Sequence, residues 1–244
     1  MTVETLGWDS AFFGRKVTRL DLRGCSSVEE ASMACDKALS GPNDATCYIV
    51  SDSSDGHGLV QALCGKGLSL LAVGSIVEYE KDTLAPQDFD HKSFRRLLAC
   101  TPEVERLGCE SGKFSRFARD PILAPRFRDM YRQWIGNAFR DSSCGCIGAF
   151  DGDDLCGILS FEHVACGLSS IELLSVSQNH RRRGFGRGLI NAYEDMMVEK
   201  NAQVLRVKTQ GCNTSARALY EALGFGKKTE SWIWHIHSHG VQQR

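Results

Sequence analysis

The sequence predicts an α/β protein, with a mixed sheet and helices packed against it. Segments with the period of strands alternate along the chain with segments that have the period of helices. In addition, a glycine-rich turn joins the strand-like residues 173–176 to a helix-like segment at about residues 186–200. Helices that begin directly after such a turn commonly hold a phosphorylated ligand. The two observations together predict an α/β domain with an anion site.

Composition limits the class of protein. With 244 residues, 42% of them hydrophobic and 24% charged, the chain has a globular composition and can form one compact body of two sub-domains. A net charge of -1 gives no general attraction for nucleic acid or anionic lipid, so we expect a small-molecule partner, no nucleic acid and no membrane. Neither a signal-like start nor an apolar run of about 20 residues is present, which predicts a cytoplasmic protein. The eleven cysteines are scattered, and reduced thiols are expected.

The first ninety residues read as a small mixed α/β unit. Strand-like segments at 15–22 and 48–51 enclose a helix-like segment at 28–39, and a further patterned stretch covers 59–79. Residues 84–91 are polar and contain one proline, which marks a boundary. We therefore predict an amino-terminal unit over residues 1–90 and a second domain over residues 91–244.

The second domain contains a segment rich in arginine and aromatic residues, at 113–140. Its amphipathic helix carries Phe127, Met130, Tyr131, Trp134 and Ile135 at helical spacing, which predicts a core face. Two strands at 157–164 and 170–176 follow, and then come the glycine-rich turn and its helix. The predicted chain ends with a strand at 204–209, a helix at 214–223 and a last strand through residues 232–234.

The glycine-rich turn is the strongest chemical signal. Glycines let the backbone approach a ligand closely, and the new helix directs free N–H groups and the positive end of its dipole to the same place. Three successive arginines add positive charge, as a diphosphate ligand requires. The turn consists of Arg181, Arg182, Arg183, Gly184, Phe185, Gly186, Arg187 and Gly188. A P-loop is excluded because no Gly-Lys-Ser/Thr is present, and no acidic ribose ligand follows the glycines as in dinucleotide-binding folds.

These residues resemble the GNAT superfamily of N-acetyltransferases. Its signature, Arg/Gln-x-x-Gly-x-Gly/Ala, is matched by the run from Arg181 to Gly186, and the preceding Leu-x-Val strand matches too. The resemblance implies a GNAT fold in which that strand separates from its neighbour and the loop amides bind the diphosphate of acetyl-CoA. It assigns Leu174, Ser175 and Val176 to the pantetheine and thioester, and the turn to the diphosphate. Acetyl-CoA is then a co-substrate, and no metal is expected.

A second family element is an asparagine that begins a helix, followed by a tyrosine seven residues later. Here these are Asn213 and Tyr220, which lie two turns apart and therefore on one helical face, where they can line one ligand. The resemblance assigns both to the cofactor site. A phenol with a pKa of about 10 can protonate a thiolate whose conjugate acid has a pKa of about 8.5. The resemblance therefore makes Tyr220 the expected acid for the leaving thiolate, and the backbone N–H of Val176 the expected donor to the oxyanion.

The general base is less constrained by the sequence. Glu172 lies in the strand where many members of this family place a carboxylate, and a surface glutamate is an equal alternative. Glu162 and His163 on the preceding strand are further candidates, facing opposite sides. His235, His237 and His239 share one strand face, but no carboxylate or cysteine accompanies them in the sequence, so no metal site is predicted.

A narrower resemblance covers nearly the whole chain. The runs 6–14 (LGWDSAFFG), 115–117 (SRF) and 131–137 (YRQWIGN) are similar to the TDP-fucosamine acetyltransferase family. Those enzymes acetylate the 4-amino group of dTDP-4-amino-4,6-dideoxygalactose and have a degenerate GNAT-like amino-terminal half. A nucleotide-linked amino sugar is thus the implied acceptor. Arg116 and Arg119 are then candidate ligands of its diphosphate, because guanidinium groups pair with phosphates.

Other functions stay open on the sequence. A protein or peptide N-acetyltransferase needs an open groove, a small-amine acetyltransferase needs only a closed acceptor site, and a non-catalytic acyl-CoA-binding protein could use the same fold. The expected partners are acetyl-CoA and a small acceptor, with a homodimer as the candidate assembly.

Overall fold

The protein is described by a computed structural model that covers residues 1–41, 44–52, 63, 70–83, 92–164 and 166–238. The helices are α1 (Gly7–Phe13), α2 (Val28–Leu39), α3 (Pro102–Ser111), α4 (Arg116–Arg119), α5 (Phe127–Asn137), α6 (Phe185–Glu199) and α7 (Thr214–Ala222). The strands are β1 (Thr2–Thr5), β2 (Lys16–Asp21), β3 (Ala45–Ser51), β4 (Leu70–Asp82), β5 (Phe94–Arg96), β6 (Cys144–Asp151), β7 (Asp154–Val164), β8 (Leu168–Val176), β9 (Val204–Gln210) and β10 (Gly226–Ser238).

All ten strands form one sheet in the order β1-β2-β3-β10-β4-β9-β8-β7-β6-β5. The β2–β3 and β8–β9 pairs are parallel and the other pairs are antiparallel. The predicted mixed α/β sheet is confirmed. Among the described residues, no helix is both long and apolar enough to cross a bilayer.

Three apolar clusters cover the two faces of this sheet. Adjacent strand residues belong to opposite clusters, as Ile158 and Leu159 on β7 do, because successive side chains of a strand point to opposite faces. Helix α6 packs on one face through Leu189, Ile190 and Tyr193. Helices α3 and α5 pack on the other face, where they enclose the space that becomes the site.

The predicted core stripe on α5 lies in this packing. Met130, Tyr131 and Ile135 are buried, and Phe127 and Trp134 pack against the same cluster as partly buried residues. Helix α2 is buried along Ala31, Ala34, Cys35 and Ala38 against β2, β3 and β10. Ser27 caps its first turn by accepting a hydrogen bond from the Glu30 N–H at 3.2 Å.

The proposed division at residue 90 stays a prediction. The polar boundary at 84–91 and most of the stretch 59–69 lie outside the described residues. Strand β4, from the first predicted unit, lies between β9 and β10 of the second, so both units contribute to one sheet.

Candidate active site

The site begins where two parallel strands separate. Strands β8 and β9 pair from Leu168 opposite Val204 to Ile171 opposite Val207 and pair no further. Beyond that point β8 stays with β7 as far as Val176, while β9 stays with β4 as far as Gln210. The gap between β8 residues 172–176 and β9 residues 208–210 is a cleft through the sheet.

A β-bulge lies at the point of separation. Leu173 pairs with Ser160 and Ile171 pairs with Phe161, so Glu172 is the extra residue without a partner on β7. The bulge reverses the facing of the strand, because Ile171 is buried with α6 whereas Leu173 is buried with α3 and α5. Glu172 is exposed where the cleft opens.

The end of β8 directs backbone donors into the cleft. The Ser177 N–H donates to the Cys156 carbonyl at 2.8 Å. Hydrogen-bonded and non-hydrogen-bonded pairs alternate along an antiparallel ladder. The next pair, Val176 opposite Gly157, is therefore non-hydrogen-bonded, and the Val176 N–H points away from β7 into the cleft. The same alternation directs the Leu174 N–H there.

A cavity of about 600 Å³ opens from this strand end toward the glycine-rich turn. Most of the predicted cofactor residues line it, together with residues that the sequence did not single out. The predicted ones are Leu174, Ser175, Val176, Arg181, Arg182, Gly184, Gly186, Arg187 and Asn213. The additional ones include Glu110, Ser111, Lys113 and Phe114. Four cations against one carboxylate make the cavity suited to a polyanion.

The turn itself is held in a specific backbone conformation. Arg182 and Gly184 have positive φ angles of 60° and 88°, and Gly184 precedes the first residue of α6. Arg181 donates from Nε to the Val176 carbonyl at 3.0 Å. The first N–H groups of α6 therefore face the cavity beside the three arginines that line it. These features fit a diphosphate.

Four of the predicted cofactor residues do not line the cavity: Tyr220 lines the cleft instead, and the other three belong to the turn. Arg183 pairs with Asp151 at 2.8 Å and so ties the turn to the β6–β7 connection. The Phe185 ring packs against the α6 cluster. A side chain at Gly188 would overlap the Phe94 ring, so this glycine allows α6 to approach β5. The turn is thus supported, on its side away from the cavity, by Arg183, Phe185 and Gly188.

A substitution at Gly184 tests the turn. Gly184→Ala places a side chain at φ 88°, where L residues are strained by about 1–2 kcal/mol. We expect about tenfold weaker binding of acetyl-CoA, since the loop must distort to keep its N–H groups on the diphosphate. Calorimetric titration measures the affinity. Gly24→Ala, at φ 73° in open space between β2 and α2, is the control for strain alone. An unchanged affinity in Gly184→Ala would remove the turn from the binding site.

Asn213 and Tyr220 come together at the cleft, as their spacing predicts. Asn213 caps α7 by accepting from the Ala216 N–H at 3.3 Å and lines both the large cavity and the cleft. Tyr220 is buried and lines the cleft, and its ring lies 6.0 Å from the Tyr79 ring. Burial raises the pKa of Tyr220, so the phenol stays protonated at neutral pH.

Glu172 is the carboxylate that lines the cleft. Desolvation by the surrounding protein raises its pKa although its side chain is open to solvent, and a contact with Ser170 opposes that rise. The nearby Glu162 raises the pKa further and Lys208 lowers it. A carboxylate with a raised pKa is a stronger base than an ordinary surface glutamate. The Nδ1 atom of His163, another candidate, is buried without a partner among the described residues.

The two predicted acceptor arginines lie apart. The Arg116 guanidinium lies 4.6 Å from the ring centroids of both Tyr48 and Phe117, and its Nε is buried. Arg119 is exposed and donates to the Val73 carbonyl at 3.3 Å, next to Cys212. Of the two, Arg119 is the one open to a ligand.

The structure corrects the prediction that no carboxylate accompanies the histidines of β10. The Asp120 Oδ2 lies 2.5 Å from His235 Nδ1 and 2.8 Å from His237 Nε2. The backbone N–H groups of Ile122 and Leu123 donate to Oδ1. The ligand atoms of Asp120, His235 and His237 lie within 4.8 Å of one another, close enough to hold a metal ion. However, a ligating His235 would leave its Nε2 proton without an acceptor, because that atom is buried and unpartnered. His239 lies outside the described residues.

The buried histidine makes stability depend on pH. Burial lowers the pKa of His235 to about 4, and Arg116 lowers it further while Asp120 opposes. In the unfolded chain this imidazole has a pKa of about 6.5. Between pH 6.5 and 4 the unfolded chain therefore binds more protons than the folded chain. We therefore expect the contribution of His235 to the free energy of unfolding to be fully present above pH 6.5. It should fall by about 3 kcal/mol as the pH is lowered toward 4.

Urea unfolding over this pH range measures the effect. The matched variant is His180→Gln, which changes a partly exposed histidine on the cofactor turn. It should retain the slope, whereas His235→Gln should flatten it. Equal slopes in both variants would assign the loss to other groups.

Four of the cavity residues, Glu110 among them, come from a segment whose helix the sequence did not predict. Ser111, Lys113 and Phe114 lie at the end of α3 and just beyond it. A signal for this helix was present, because Thr101 caps it by accepting from the Val104 N–H at 3.4 Å and Pro102 occupies its first position.

Part of the chain matches known proteins in sequence. The family model described as the acetyltransferase (GNAT) family matches residues 112–225. The streptothricin acetyltransferase of Escherichia coli is 31% identical over 104 residues, which cover 42% of this chain and 60% of that protein. The match thus spans less than two thirds of that curated relative.

Solved structures extend the likeness to the whole sheet. A GCN5-related N-acetyltransferase from Sphaerobacter thermophilus superimposes with a TM-score of 0.58 at 13% identity, covering 96% of this chain and 76% of that one. A tandem GNAT protein from the clavulanic acid biosynthesis pathway gives a TM-score of 0.50 at 13% identity, covering 93% and 76%. At such identities the likeness concerns the fold alone.

Proposed function

We propose that the protein transfers an acetyl group from acetyl-CoA to an amine, because residues 112–225 match the family model described as the acetyltransferase (GNAT) family. The observation that carries the proposal is the separation of β8 from β9 beside a cationic cavity at a helix start. The cavity can hold a diphosphate, and the adjoining cleft contains a buried tyrosine and a carboxylate.

Each step of the reaction has a residue suited to it. Glu172 removes a proton from the acceptor amine, whose nitrogen then attacks the thioester carbonyl carbon. The Val176 N–H donates a hydrogen bond to the oxygen on which negative charge develops. As the C–N bond forms, the C–S bond breaks, and Tyr220 gives its phenolic proton to the departing sulfur. The amine enters as an ammonium ion, so its nitrogen loses a second proton as the amide forms. Solvent carries that second proton to the Tyr220 phenolate and takes the first from Glu172, so the products are an amide, a free thiol and one proton.

The raised pKa of Tyr220 does not prevent this role. Burial makes the phenol a weaker acid than in water. A thiolate that forms in the same cleft is equally deprived of solvation, so its conjugate acid is weakened too. The difference between the two pKa values, which sets the cost of the proton transfer, therefore stays modest.

For the acceptor, we propose a nucleotide-linked amino sugar such as dTDP-4-amino-4,6-dideoxygalactose. The support is the sequence resemblance, together with the way its motifs pack. Phe13 and Trp134 lie 6.1 Å and 5.8 Å from the Phe117 ring, and Trp8 lies 6.3 Å from the Trp134 ring. This aromatic group joins the amino-terminal unit to α5. Arg119 is the available diphosphate ligand.

Thiol release from acetyl-CoA tests the proposal. Purified protein is given dTDP-4-amino-4,6-dideoxy sugars, free amino sugars, polyamines, peptides and streptothricin, the last because the E. coli relative is named for it. Turnover with the dTDP sugars supports the nucleotide-sugar acceptor. Turnover with another amine alone keeps the acetyltransferase and replaces the acceptor. Binding of acetyl-CoA without turnover on any amine would favour a non-catalytic acyl-CoA-binding protein.

A further inference from the structure

A second cavity lies on the far side of the cleft from the cofactor cavity. It has a volume of about 350 Å³ and lies between α5 and strands β6, β7 and β8. We call it the α5 pocket. Its lining consists of Trp134, Asn137, Ala138, Cys144, Ser160, Phe161, Glu162, Glu172 and Leu173.

The three cavities follow one another. The cofactor cavity and the cleft share Leu174 and Asn213, and the cleft and the α5 pocket share Glu172 and Leu173. A molecule in the α5 pocket would therefore reach the cleft at Glu172, opposite the side from which the diphosphate site approaches it. A bisubstrate reaction needs its second substrate at this position.

The charged side chains that line the α5 pocket are acidic. Glu162 and Glu172 are the charged side chains among the described residues that line it, and both are exposed. Lys208 on β9 lowers the pKa of Glu172, but it lines the cleft rather than the pocket. It is also paired with Glu78 at 3.0 Å. The pocket is therefore negative, and a diphosphate would be repelled from it.

A buried hydroxyl adds an unused hydrogen-bonding group. Ser160 is 2% exposed, and its Oγ has no partner among the described residues. It lies two residues before Glu162 on β7, so both side chains are on the face covered by α5. Buried hydroxyls are rarely left without a partner, which indicates that a ligand group completes this one. Trp134 supplies an aromatic wall.

We propose that the α5 pocket binds the acceptor and recognises its amine as an ammonium ion, with Glu162 as the specificity-determining residue. This inference rests on the proposed acetyl transfer. Glu162 and Ser160 hold the charged amine or a neighbouring amine of the acceptor, and Trp134 packs on its apolar surface. Glu172 takes the proton at the entrance to the cleft. A nucleotide-linked acceptor places only its amino sugar here, because the pocket is small and negative.

Glu162→Gln tests the charge and preserves the shape. For each acceptor that supports thiol release, KM for the acceptor should rise about tenfold because a charge-assisted hydrogen bond becomes a neutral one. The value of kcat and the KM for acetyl-CoA should stay within about twofold of the unaltered protein, since Glu162 lies outside the cofactor cavity. Glu199→Gln, an exposed carboxylate at the end of α6, is the matched control.

Alkylation of Cys144 gives a readout that needs no turnover. Cys144 lines the pocket, whereas Cys166 is exposed and serves as the internal reference. Glucosamine should slow the modification of Cys144, and N-acetylglucosamine, which lacks the ammonium charge, should not. Peptide mass spectrometry measures both sites. In Glu162→Gln the protection by glucosamine should be lost.

The outcomes separate this inference from the function on which it rests. Thiol release with an unchanged acceptor KM in Glu162→Gln would overturn the ammonium pocket and leave the acetyltransferase in place. Equal protection of Cys144 by both sugars, or by neither, would also overturn it. Absence of thiol release with every acceptor would instead defeat the proposed function.

Discussion

Replacing Tyr220 by phenylalanine should lower kcat about 100- to 1,000-fold, within the range that a general acid contributes. The substitution removes one oxygen from a ring that is packed among Tyr79 and Phe225, so the aromatic contacts remain. Without the phenolic proton, sulfur must leave as an unprotonated thiolate in a poorly solvated cleft. The measurement is steady-state thiol release with the acceptor that the panel identifies.

Binding must be measured beside turnover in this variant. Tyr220 lines the cleft and not the cofactor cavity, so the affinity for acetyl-CoA should stay within about twofold. Tyr79→Phe is the matched control. The Tyr79 hydroxyl donates a hydrogen bond to Glu221 over a distance of 2.7 Å, and this bond lies outside the cleft. If Tyr220→Phe kept full turnover, Tyr220 would be a packing residue and another group would protonate the thiolate.

Replacing Asp120 by alanine should lower the free energy of unfolding by about 3–5 kcal/mol, as expected when one member of a buried charged cluster is removed. Asp120 is fully buried and accepts hydrogen bonds from two imidazoles and two backbone N–H groups. Burial by itself would raise its pKa, but the histidine hydrogen bonds outweigh burial and hold the pKa well below its usual range. The carboxylate is therefore charged at neutral pH.

Urea unfolding at neutral pH measures the loss. Asp129→Ala is the control, because that exposed carboxylate pairs with Arg132 at the surface and should change stability by less than about 1 kcal/mol. Asp120→Asn keeps an acceptor oxygen and should fall between the two. A loss in Asp120→Ala no greater than in Asp129→Ala would show that the cluster contributes little to folding.

Much of the local structure could be predicted from the sequence. Helix α2 has the predicted bounds of Val28–Leu39, and α6, β9 and α7 agree with their predicted bounds within two residues. These segments carry clear periodic patterns and capping residues, which act over a few neighbours. The assignments of the domain boundary, the general base and a homodimer stay predictions.

Strands β5 and β6 and helix α3 could not be predicted in this way. Residues 145–149 of β6 are buried on both faces, so the strand shows no alternation of polar and apolar residues. Strand β5 has only three residues. Gly108 lies inside α3 and weakens the helical pattern, although the Thr101–Pro102 start could have indicated the helix.

The sequence by itself determined the cofactor turn. The glycines, the arginines beside them and the seven-residue interval from Asn213 to Tyr220 act through backbone conformation and helical period, which depend on nearby residues alone. The separation of β8 from β9, the bulge at Glu172 and the α5 pocket were decided by the tertiary structure. Asp120 and His235 are 115 residues apart in the chain, and only the sheet that positions β10 beside α4 brings them into contact. Such contacts depend on packing between distant segments, and no local pattern encodes that packing.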